Sequence, residues 1–106
     1  MTAASATVTR WPDSAPPSRQ DLEALFRRER LAPNWWSNGP GDRYAAHSHS
    51  YHKVLYCASG GVRFTIAGGA SIELAPGDRL DIMPGAVHSA DVGPQGVSCV
   101  EAARRQ

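Results

Sequence analysis

The chain has 106 residues, 11 basic and 10 acidic side chains for a formal net charge of +1, and 42% apolar and 20% charged residues. That length suits one small domain that buries about 60–65% of its unfolded surface, and the composition excludes a chain disordered throughout. Basic runs stop at two residues, as at Arg27-Arg28, which argues against nucleic-acid binding by bulk charge. No apolar stretch nears the ~18 residues of a membrane span, and no apolar leader follows a charged start. Cys57 and Cys99 are too few for a disulfide framework and read as small core residues. The expectation is a cytoplasmic single domain with neither nucleic-acid nor membrane partners.

Residues 1–17 hold three prolines in their last six positions and one large apolar side chain, Trp11. Such a segment buries too little surface to offset its ordering entropy, and a flexible tail is expected, with an edge strand around Trp11 as the rival. The single domain then runs over 18–106. A helix is expected over 18–31. Ser18 and Asp21 have capping-box spacing, Leu22, Leu25 and Phe26 form one apolar stripe, Arg27, Arg28 and Arg30 suit the last turn, and Pro33 stops it.

A barrel is expected over 34–103. Short strands are predicted at 34–38, 43–49, 52–59, 62–67, 71–74, 79–83, 87–92 and 97–102. Between them lie the turn signals Gly39-Pro-Gly41, Gly60-Gly61, Gly68-Gly69, Pro76-Gly77, Pro84-Gly85 and Gly93-Pro94. Val62, Phe64 and Ile66 alternate with Arg63 and Thr65, as a half-buried strand requires. Many short strands at regular spacing point to an all-β closed barrel or small jelly roll, because open edges are a liability.

All four histidines, His47, His49, His52 and His88, fall in two short segments, and the single lysine, Lys53, adjoins the first. On one strand His47 and His49 point to the same face, where two neutral imidazoles can grip a divalent cation. His88 lies some forty residues on, a separation that a barrel can turn into adjacency.

The stretch Gly41-Asp-Arg-Tyr-Ala-Ala-His47-Ser-His49-Ser-Tyr-His-Lys53-Val-Leu-Tyr-Cys-Ala-Ser-Gly60 resembles the first cupin motif in every spacing, with Lys53 at the glutamate position. Gly77-Asp-Arg-Leu-Asp-Ile-Met83-Pro84-Gly85-Ala-Val-His88-Ser-Ala-Asp-Val92 resembles the second, with Met83 at the proline position and Val92 at the asparagine position. The resemblance implies a double-stranded β-helix, the cupin jelly-roll barrel, here preceded by the one short helix read over 18–31. It also implies that His47, His49 and His88 are three of the family's four ligands for one divalent transition metal per chain, of the zinc, iron, manganese or nickel class.

The fourth ligand, a glutamate in the family, is replaced by a cation. Either His52 substitutes through a local bend or water completes the site. Lys53, Tyr44 and Met83 are expected to line a pocket for a small-molecule ligand. The alternative is a metal-free module that binds an anion through Lys53 and the histidines. Catalysis stays undecided at this stage. Glu101 reads as a solvated charge, unless the alternation Val97, Cys99, Glu101 turns it inward. The resemblance further implies a homodimer.

Overall fold

The computed structural model describes residues 5–105. It contains β1 (Ala6–Thr9), α1 (Arg19–Arg28), β2 (Asn34–Asn38), β3 (Arg43–His47), β4 (His52–Ile66), β5 (Ser71–Leu74), β6 (Arg79–Ile82) and β7 (His88–Arg104). This is the expected all-β jelly roll with one short helix.

Two strands organise it. The first half of β4 lies between β6 and the last third of β7, pairing Leu55 with Leu80 on one side and with Glu101 on the other. Its second half lies between β5 and the first part of β7, with Phe64 opposite both Ile72 and Ala90. β2 closes the outer edge of β7 over Val97–Glu101. β3 pairs the opposite end of β7 and sets His47 directly against His88. Both long strands thus pass from one sheet of the sandwich to the other.

The crossing point corrects the sequence reading. Gly60-Gly61 and the Gly93–Gly96 stretch are not hairpin turns. They are bulged bends inside continuous strands, where the β4–β7 register shifts on either side of Ser59–Gly60. Gly60 has φ 72°, and a Cβ there would collide with the carbonyl of Gly96. Glycine permits both the left-handed backbone and the close approach of the two chains, which a sharp corner requires. Four predicted strands therefore merge into two.

Alternation along β4 splits the core. Leu55 and Cys57 face the barrel interior with Val62, Phe64, Leu80, Ile82, Val97 and Cys99. Val54 and Tyr56 face outward with Val100 and Ala102, and Leu22 and Phe26 of α1 cover them. Phe26 meets Tyr56 edge to face at 5.5 Å between ring centroids. The helix begins as expected: Ser18 Oγ accepts from the Asp21 N–H and the Asp21 carboxylate accepts from the Ser18 N–H. It ends three residues earlier than expected, at Arg28, and Arg30 turns the chain with φ 60°.

The expected tail is the second correction. Residues 1–4 lie outside the described part, but Ala6–Thr9 form an edge strand antiparallel to β6, with Val8 opposite Leu80. Arg10 and the Trp11 N–H both bond the Asp78 carboxylate. The partner strand lies about seventy residues away in sequence, beyond any local signal. Among the described residues no helix is long and apolar enough to cross a membrane.

Candidate metal centre

His47 is the last residue of β3, His88 the first of β7, and His49 lies in the loop beyond β3, not on a continuous strand as expected. That loop is tied down where the His49 carbonyl accepts from the Gly85 N–H at 2.8 Å. One ligand atom from each imidazole lies within 4.8 Å of the other two. Ring centroids are 4.5 Å apart for His47 and His88, 4.9 Å for His47 and His49, and 5.2 Å for His49 and His88.

The tautomers of two rings are set by backbone. His47 Nδ1 lies 2.7 Å from the Ala45 carbonyl and His88 Nδ1 lies 2.9 Å from that of Ala86. A carbonyl can only accept, so Nδ1 carries the proton, and in the neutral ring Nε2 is then the nitrogen with the free lone pair. The Nε2 atoms of His49 and His88 are buried with no hydrogen-bond partner among the described residues. Burial holds the pKa of both His49 and His88 below the ordinary histidine value, with Lys53 and the neighbouring imidazoles adding to it. Three imidazoles whose ligand atoms converge in this way fit a divalent transition metal.

A cavity of about 240 Å³ opens beside the triad, lined by Trp36, Tyr44, His47, Lys53, Phe64, His88, Ala90 and Glu101. Lys53 and Tyr44 are both among its lining residues. Lys53 Nζ lies 3.1 Å from Glu101 Oε1, and Trp36 Nε1–H donates to the same oxygen at 2.7 Å. Tyr44 OH bonds the Asn38 side chain, and burial raises its pKa.

His52 and Met83 go elsewhere. β4 alternates, so with Lys53 facing in, His52 faces out; its Nε2 lies 2.7 Å from Asp81 Oδ1. The two line a separate hollow with Tyr51 and Arg104. His52 is not part of the triad. Sequence reasoning left Glu101 conditional; the alternation with Val97 and Cys99 was the available signal, and the inward reading of it holds.

A family model described as the cupin domain matches residues 34–93. The chain belongs to the cupin family. Several solved structures align with it at low identity. A Klebsiella pneumoniae protein with a double-stranded β-helix domain shares 27% identity and a TM-score of 0.61, over 69% of this chain and 65% of that one. A Thermotoga maritima protein of a family designated by number only shares 15% identity and a TM-score of 0.66, over 93% and 99%. The DMSP lyase DddQ of Ruegeria pomeroyi shares 21% identity and a TM-score of 0.66, over 72% of this chain and 39% of the lyase. The last two carry the fold and no more. No curated protein matches the chain in sequence.

Proposed function

We propose that this cupin binds one divalent transition metal through His47, His49 and His88 and takes a small molecule into the adjoining cavity. The observation that carries the reading is the pair of buried, unpartnered Nε2 atoms on His49 and His88. A buried polar atom without a partner is costly, and a bound cation would satisfy both. Three imidazoles suit zinc, iron or nickel better than hard, oxygen-seeking ions. A metal so held supplies Lewis acidity, polarising a carbonyl or lowering the pKa of bound water.

The aromatic walls, Trp36, Tyr44 and Phe64, suit the apolar part of a compact metabolite, and the polar end faces the histidines and Lys53. A metal-free anion module is less favoured, because the Lys53 ammonium is already engaged by Glu101. Metal analysis of untagged protein tests the proposal. About one zinc, iron, manganese or nickel per chain supports it, and metal content unchanged by His88→Ala refutes it.

We also propose a homodimer, as the family resemblance implies. Among the described residues β1 and β2 end the sheet path, and each offers an edge at which a second copy can add. Light scattering near twice the 11.4 kDa chain mass supports this, and a value at that mass refutes it.

A further inference from the structure

Lysine at the glutamate position of the first motif poses an electrostatic problem. Lys53 is 9% exposed and shares its cavity with His47 and His88. A dication held there would sit beside a poorly hydrated ammonium, and burial in low dielectric magnifies that repulsion. Among the residues lining the cavity, Glu101 is the one acidic side chain. It stands on β7 directly opposite Leu55, two residues along β4 from Lys53, so the two side chains are diagonal neighbours on the inner face. It also lies outside residues 34–93, the stretch that matches the family model.

We propose that Glu101 supplies from β7 the negative charge that the motif lacks at position 53, so that the histidine triad can hold a dication in spite of Lys53. This rests on the metal reading above and goes beyond it by assigning a residue outside both motifs. Lys53 and Trp36 both bond Oε1, so neither bond occupies Oε2. The carboxylate is positioned without being spent. Glu101 is not among the mutually close ligand atoms, so its role is charge compensation across the cavity, and Trp36 fixes its position. Three imidazoles and one carboxylate, the set the motif implies, carry a net charge of −1; the added Lys53 ammonium brings this cavity to zero, where without Glu101 it would stand at +1.

Zinc titration by calorimetry, with the apo protein prepared by chelation, tests the assignment through affinity alone. Glu101→Gln should weaken zinc binding about tenfold or more, since it leaves Lys53 uncompensated. Lys53→Met should tighten it, by freeing the carboxylate and removing the cation. The double variant, which removes both charges, should return towards wild type. A merely structural role for Glu101 would not produce that rescue. Wild-type binding with Glu101→Gln within twofold of it overturns the inference and leaves the metal reading standing. Absence of zinc binding in the wild type overturns both. Should Glu101→Gln fail to fold, Lys53→Met and the double variant still decide, because Lys53→Met no tighter than wild type also overturns the assignment.

Discussion

The indole of Trp11 covers the α-carbon of Gly77 on the side where any other residue carries its Cβ. Gly77 has φ 94°, a conformation closed to L side chains without strain. The neighbouring Asp78 accepts from Arg10 Nη1 at 2.9 Å and from the Trp11 N–H at 3.0 Å, and its carboxylate also caps the Ala75 N–H. The N-terminal strand is therefore fastened to the β5–β6 turn at its end, beyond the last ladder pair, Thr9 with Arg79.

Removing that fastening should cost stability. Trp11→Ala is expected to lower the unfolding free energy by about 2 kcal/mol, below the range for a fully buried tryptophan because the ring is only half-buried. In a domain this size that corresponds to a fall of about 10 °C in Tm. Gly77→Ala should cost at least as much, since it adds backbone strain to a steric clash. A melting temperature unchanged in both variants would return residues 6–11 to the status of a tail.

The triad and the outward histidine should separate cleanly. His49→Ala or His88→Ala removes one of the three proposed ligands, and zinc affinity should fall about a hundredfold or more. His52→Ala should leave zinc affinity unchanged. It removes the contact to Asp81, part of an exterior network in which Arg79 bonds both Asp81 and Glu29, so its effect should be a stability loss of about 1 kcal/mol. Zinc titration and urea unfolding of the same samples distinguish the two. Weakened zinc binding in His52→Ala would make it a ligand after all.

The site was more legible than the chain path around it. The spacing of His47, His49 and His88 with the motif glycines placed the triad, and Gly41, Gly60, Gly77 and Gly85 all have positive φ. Parity misled at one point. Neighbouring residues on a strand face opposite ways, so His52 and Lys53 cannot both look into the barrel, and the bulge invoked for His52 lies further along β4, at Ser59–Gly60. Glycine pairs read as turns were corners inside long strands, a distinction fixed by the facing strand and so absent from local sequence. β1 was hidden for the same reason: Thr7, Val8 and Thr9 have strand propensity, but their stabilisation comes from β6.

Acid should loosen the exterior. Asp78 and Asp81 are both raised by burial, yet more strongly lowered by their bonds, Asp78 from the N–H groups of Ala75 and Trp11 and from Arg10, Asp81 from Arg79 and His52. Glu29 is lowered chiefly by its bond from Arg79, with Arg104 adding to it. All three have folded pKa values below the unfolded ones. The unfolded chain then binds more protons, so the stabilisation is complete above the ordinary carboxylate range near ~4 and is lost as pH falls through the folded values. The urea midpoint of the apo protein should drop between pH 5 and pH 3, and Asp78→Asn should flatten that drop while lowering the midpoint at pH 7. An Asp78→Asn profile parallel to wild type would deny the carboxylate its role.

The last prediction reverses the charge at position 53. Lys53→Glu restores the family's motif, but Glu101 makes its consequence different from a simple gain of ligand. A carboxylate at 53 would face Glu101 across the diagonal now closed by the Lys53–Glu101 ion pair of 3.1 Å. Two poorly hydrated carboxylates repel, so the apo variant should be less stable than wild type. A dication reverses the balance, because it is attracted by both charges and gains an oxygen ligand at the family's position. Zinc should therefore raise the melting temperature of Lys53→Glu by more than it raises that of wild type, in proportion to the logarithm of its tighter binding. Adding Glu101→Gln should restore apo stability and reduce the zinc-induced increment. Thermal melts with and without zinc on these three proteins measure both effects. If Lys53→Glu is as stable as wild type without metal and no more responsive with it, residue 53 does not share its electrostatic environment with Glu101 and the triad.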